Sequence, residues 1–143
     1  MDLRDKPEDD SWKNMMSTFK FELVFPEKLL VSADVEQVVV PGSEGEFTVL
    51  PGHAPAMTTL RPGVIDVKLP GGKAQRLYVQ GGFAEVDPAS LTILAQQATD
   101  VAEAGTGWLA EERKRAEAAV TAAKGDEEQF LTHAAVAALA SLS

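Results

Sequence analysis

The chain has two histidines, the side chains best suited to proton transfer near neutral pH. His53 stands in "TVLPGHAPAMTTLRPG", Thr48 to Gly63, where Pro51, Gly52 and Pro55 fix the backbone around it. A general base needs a proton to take and a partner to orient it. No serine or cysteine nucleophile motif lies nearby, and His133 sits far along the chain among alanines. His53 therefore reads as a structural or contact residue of its loop, and His133 as a residue on a helix face. "GSEGEF", Gly42 to Phe47, has the glycines of a phosphate loop. It lacks the Lys-Ser/Thr pair and the following helix that would complete one, so it reads as an acidic turn. The charge run Glu111 to Arg115 reads as a solvated helix face. The sequence carries no motif for a cofactor or a metal.

The elements that hold these residues follow from periodicity. "FKFELVF" puts Phe19, Phe21, Leu23 and Phe25 on one side of a half-buried strand that Pro26 ends. "ADVEQVVVPG", "GEFTVLPG" (Phe47 and Val49 inward) and "PAMTTLRPG" supply further strands. "VIDVKLPGGKAQRLYVQGG" reads as a hairpin, with Ile65, Val67 and Leu69 on one arm and Leu77 and Val79 on the other. Its turn is "PGGK", where glycines reach positive φ without strain. "FAEVDPASLTILAQ" is a second hairpin, turning at Asp87-Pro88. Short strands with Gly/Pro punctuation and no helix between them indicate an antiparallel sandwich or barrel.

Near Asp100 the period changes. "WLAEERKRAEAAVTAAKG" aligns Leu109, Ala116, Val120 and Ala123 on one helical stripe, and Gly125 stops it. Asp126 is expected to cap a second, alanine-rich helix, with Gln129 at the reciprocal capping-box position. Two such helices are marginal alone, so an antiparallel hairpin must dock on the sandwich or on another protein.

Composition bounds the function. At 143 residues the chain can bury a real core, and its apolar fraction of 45% is ordinary for a globular protein. A net charge of −9 argues against nucleic acid or anionic lipid as a partner and allows one with basic loops. The absence of cysteine suits a reducing compartment. No run is long and apolar enough to insert in a bilayer. Residues 1–16 are acidic and aperiodic, without the features of a secretory or transit peptide, and read as a disordered extension. The Met15-Met16 pair is a second plausible start. Physical reading ends at an acidic sandwich with a helical hairpin, a subunit of something larger. A free-standing ligand-binding sandwich and a small hydrolase using His53 are the rival functions.

The succession "GSEGEFTVLPGHAPAMTTLRPG", "YVQGGFAEV" and "LTILAQQA" resembles the epsilon subunit of the bacterial F-type ATP synthase, whose looser mitochondrial counterpart is called delta. The resemblance runs from about Phe19 to Ala98, and the two-helix tail fits it. It implies an antiparallel β-sandwich of about ten strands followed by a C-terminal α-helical hairpin. The divisions expected are an extension over 1–16, a sandwich over 17–101 and a hairpin over 102–143. It implies a non-catalytic central-stalk subunit, peripheral on the cytoplasmic face of the inner membrane, without cofactor. Its partners would be the gamma subunit, the polar loops of the c-ring and, transiently at most, the catalytic head. Carried over, Glu46 is the acid that meets the basic loop of subunit c, with His53 beside it and Ser43 and Glu44 as neighbours. The tail departs from the family. "VAEAGTGWLAEER" lacks the Ile/Leu-Asp-x-x-Arg-Ala motif of nucleotide-sensing members, and no Lys or Arg follows Asp126. ATP binding and strong self-inhibition are therefore not expected.

Overall fold

In the computed structural model, residues 18–25 and 28–142 are described, and the expected extension over 1–16 lies outside them. Ten strands come first: β1 Phe19–Phe25, β2 Lys28–Val35, β3 Gln37–Gly42, β4 Gly45–Val49, β5 Ala56–Leu60, β6 Gly63–Lys68, β7 Ala74–Val79, β8 Gly82–Asp87, β9 Ser90–Ala95 and β10 Ala98–Asp100. Two helices follow, α1 Val101–Ala122 and α2 Asp126–Ala140. The strands pair in the order β10-β7-β6-β3-β5-β8-β9-β1-β2, with β4 also on β3. At the single Gly42–Leu60 pair the sheet turns a corner, leaving β4, β3, β6, β7 and β10 in one layer and β5, β8, β9, β1 and β2 in the other.

Period-two alternation fills the space between the layers. Phe19, Phe21, Leu23, Ile65, Val67, Leu77, Val79, Leu91 and Ile93 are all buried in one cluster, with Phe47 and Leu69 packed against it. A fully buried Phe or Leu side chain contributes about 1.5–3 kcal/mol over leaving it in water. The side chain of Phe25, assigned to the same row, lies outside the described set. The "PGGK" turn forms as expected, with Gly71 and Gly72 at φ 84° and 79° and Leu69 N–H donating to Lys73 O at 2.8 Å.

Several local features differ from the sequence reading. "ADVEQVVVPG" is not one strand: the chain bends at Glu36 and divides it between β2 and β3. The strand β10 is short and was not expected. The sheet is antiparallel except that β1 runs parallel to β9. Those two strands are far apart in sequence, so no tight turn forces them to be antiparallel.

At the start of α1, Asp100 Oδ1 accepts from Ala102 N–H at 3.0 Å, the expected role of an N-cap. The helix therefore begins earlier than its apolar stripe, and Gly105, at φ 80°, interrupts it. Asp126 is not a cap but the first helical residue of α2; Gly125, at φ 82°, holds the cap position. The side chains reaching back are Glu128, accepting from Lys124 N–H at 3.2 Å, and Gln129, donating to Ala123 O at 3.0 Å. The hairpin docks on the sandwich, α1 against β7 and β10 and α2 against β6.

Candidate functional site

The β3–β4 turn carries three of the four residues expected to meet a partner. Gly42 pairs with Gly45, leaving Ser43 and Glu44 as the loop. A Cβ at Gly42 would stand 2.8 Å from Gly45 O and 3.0 Å from the Phe47 ring, so only glycine closes the turn this tightly. Ser43 is tied to β5 twice: its N–H donates to Thr59 O at 2.9 Å and its Oγ accepts from Thr59 Oγ1 at 2.8 Å. The turn is thus pinned, and Glu44 and Glu46 project from it exposed.

His53 is held separately, in the loop between β4 and β5. Its N–H donates to Leu50 O at 3.1 Å, and the preceding Gly52 N–H donates to Pro88 O at 2.8 Å. The Nδ1 lies 2.7 Å from Ala54 O, a geometry that calls for a protonated Nδ1 donating to the carbonyl. The ring tilts at 43° to that of Phe47, with centroids 6.4 Å apart. Successive strand residues face opposite ways, so Glu46 and Phe47 lie on opposite faces of β4. The structure therefore groups His53 with Phe47, not with Glu46. Glu46 instead lines a groove of about 550 Å³ under α2, together with Arg61, Asp66 and His133. Nothing in this arrangement resembles a nucleophile poised beside a base. Among the described residues no group of three or more His, Cys, Asp or Glu could hold a metal ion, and no helix is long and apolar enough to cross a membrane.

A second surface escaped the sequence reading. Phe83 pairs with Leu94, Leu94 with Val24, and Val24 with Leu29, one row across β8, β9, β1 and β2. Phe83, Leu94 and Leu29 are 53%, 53% and 52% exposed, and Met57 on adjacent β5 is 70% exposed. Apolar side chains thus stand where a solvated sheet face would carry polar ones. The signal was available: Leu94 breaks the inward set Leu91, Ile93, Ala95, and Val24 breaks Phe19, Phe21, Leu23. The row itself becomes visible only with the register.

A sandwich of this topology, followed by a docked hairpin, defines the class. Over residues 18–101 the sequence matches the family described as ATP synthase, Delta/Epsilon chain, beta-sandwich domain. The ATP synthase epsilon chain of Mesorhizobium japonicum is 48% identical over 123 residues, covering 82% of this chain and 91% of the relative. That of Maricaulis maris is 50% identical over 123 residues, covering 86% and 92%. This chain belongs to the ATP synthase epsilon chain family. The fold recurs in a chain of the Euglena gracilis mitochondrial ATP synthase structure of OSCP, F1 and c-ring, with a TM-score of 0.67 and 24% identity, over 88% of this chain and 79% of that one. It recurs in the central stalk/c-ring structure of the Tetrahymena thermophila mitochondrial ATP synthase, with a TM-score of 0.56 and 14% identity, over 87% and 95%.

Proposed function

We propose that this chain is a non-catalytic rotor subunit that joins the c-ring to the gamma subunit in the central stalk of a proton-driven ATP synthase. It works on the cytoplasmic face of the inner membrane without inserting into it. The observation that carries the reading is a pair of docking surfaces on one rigid body. The row Phe83, Leu94, Val24 and Leu29, exposed except at half-buried Val24, offers gamma an apolar sheet face. The pinned acidic turn, Ser43, Glu44 and Glu46, offers the c subunits a rigid anionic contact, with His53 held separately beside Phe47. Charge-assisted hydrogen bonds from basic loops suit exposed carboxylates, and a pinned turn loses little entropy on docking. In this reading His53 is a contact residue, its ring set against Phe47 and its Nδ1 donating to Ala54 O.

The hairpin inhibits ATP hydrolysis weakly or not at all, and contacts the catalytic head transiently at most. Supporting this, α2 opens with Asp126, Glu127 and Glu128 and carries no Lys or Arg. The test is the double variant Glu46→Lys with His53→Ala, assayed for proton-driven ATP synthesis in membranes. Coupling should fall while folding stays intact, because Glu46 is exposed and outside the core. Undiminished synthesis would refute the c-ring contact.

A further inference from the structure

Met57 is the most exposed large apolar side chain among the described residues, at 70%. It is also the one sulfur-bearing side chain among them, because the chain has no cysteine and Met1, Met15 and Met16 lie outside the described residues. Strand alternation fixes where it points. Leu60 and Ala84 are buried, and Thr58 pairs with Ala84, so Met57 and Thr59 face outward from β5. On that face Met57 stands opposite Glu85, and Phe83, opposite Thr59, is its diagonal neighbour. It therefore extends the row Phe83, Leu94, Val24 and Leu29 by one strand. Thr59 is also the residue whose Oγ1 donates to Ser43 Oγ, so Met57 lies on the strand that joins the apolar row to the acidic turn.

A thioether in this place can be altered chemically while the fold stays as it is. Hydrogen peroxide oxidises it in one two-electron step. The sulfur attacks one peroxide oxygen, the O–O bond breaks as the S–O bond forms, and the other oxygen leaves as water. Methionine is oxidised to the sulfoxide and the peroxide is reduced. No thiol of the chain competes for the oxidant. In a core the new S–O dipole would disrupt packing, but at this exposure it remains in water. Under a docked partner the same dipole is unfavourable, because a polar group taken out of water needs a hydrogen bond in exchange. A sulfoxide oxygen only accepts, and its neighbours on the face have nothing to donate to it. The Glu85 carboxylate also only accepts, the Phe83 ring is apolar, and Thr59 already donates its hydroxyl proton to Ser43.

We propose that Met57 is an oxidation-sensitive contact that controls assembly. On the free chain peroxide converts it to the sulfoxide, and the sulfoxide weakens docking of gamma until a methionine sulfoxide reductase restores the thioether. The inference rests on the reading that gamma covers this face. The test treats the full chain with hydrogen peroxide, locates the added oxygen by mass spectrometry and measures affinity for purified gamma. Oxidation at Met57 should weaken binding at least tenfold with thermal unfolding unchanged, and reductase treatment should restore it. Gamma bound beforehand should protect Met57 from the peroxide. Met57→Leu keeps an apolar side chain without the sulfur, so it should bind gamma as tightly after peroxide as before, even with Met1, Met15 and Met16 oxidised. A chain fully oxidised at Met57 that binds gamma undiminished, or a Met57→Leu chain that loses affinity on oxidation, would overturn the proposal. Phe83→Asp with Leu94→Asp separates the two ways of failing. If that variant binds gamma weakly, gamma still docks on this face and the role of Met57 alone is refuted; if it binds undiminished, the docking reading itself is refuted.

Discussion

Tyr78 is the chain's single tyrosine, so the absorbance of tyrosinate reports one known position in the seam between sandwich and hairpin. The side chain is 2% exposed, and its pKa is pushed up from 10.0 to about 12, first by burial and then by the charge of Glu112. The phenol is therefore kept neutral in the fold. Stability from this source is fully present below pH 10.0 and is lost as pH rises through about 12. At about 1.4 kcal/mol per unit, a shift of this size corresponds to roughly 2–3 kcal/mol. The hairpin need not wait for global unfolding, because lifting α1 is enough to expose the ring. The observed midpoint should thus rise above 10.0 by the docking free energy divided by about 1.4 kcal/mol, up to a ceiling near 12. The assay is a pH titration of the full chain followed at the tyrosinate band. Glu112→Leu removes the second cause and should lower the midpoint without bringing it to the ordinary value. Truncation after Thr99 uncovers the ring and should bring the midpoint close to 10.0. A full chain titrating near the ordinary value, or a midpoint that truncation leaves unchanged, would refute the buried seam.

Two further outcomes follow from the surfaces. Phe83→Asp with Leu94→Asp places charge in the centre of the exposed row and should weaken gamma association by about 2 kcal/mol or more, roughly thirtyfold, in a pull-down against purified gamma; retained affinity would move the gamma contact elsewhere. Truncation after Thr99 should raise the ATPase rate of the isolated head complex by less than about twofold, under about 0.4 kcal/mol, because α2 lacks basic residues for the head; a tenfold rise would show that the hairpin inhibits.

The strands with clean alternation were legible: Phe19, Phe21 and Leu23 of β1, both arms of the "PGGK" hairpin and the β8–β9 hairpin lie where period two puts them. The rest was hidden for physical reasons. In "KLLVSADV" the apolar residues run together, and the β1–β2 register shifts between Leu23 and Val24, so β2 shows no continuous alternation. The strand β10 is too short to show a period, and β1–β9 parallel pairing is a long-range choice that no local signal encodes. Of the site, the acidic turn was legible because Gly42 and Gly45 frame it. The separation of Glu46 from His53 was not read, although inward Phe47 lies next to Glu46 in sequence and already implied that Glu46 faces out. Glu112, which is buried, was lost in a charge run. Its spacing of four from Trp108 and from Ala116 put it on the packed stripe, but local sequence cannot show that Gln80 waits across the seam.

The apolar side chains close into two clusters with no buried member in common. One fills the sandwich from Phe19 to Ala95; the other, under the hairpin, has only Tyr78, Ala116 and Leu139 buried. The first draws on both layers, so no strand can leave without opening the whole, and close packing makes such a body stiff. The second is of a different order. Tyr78 stays on the sheet whichever way the hairpin goes, so lifting it exposes Leu139, Ala116 and one aromatic face, together with the partly buried Val101, Trp108, Leu109, Ala135, Val136 and Leu142. That burial amounts to a few kcal/mol, offset in part by the entropy regained on release. The directional bond from Gln80 to Glu112 adds a polar contact to this seam. In the proposed rotor, torque passes through the stiff cluster alone. The position of the hairpin is then a separate variable, set by the second and smaller cluster.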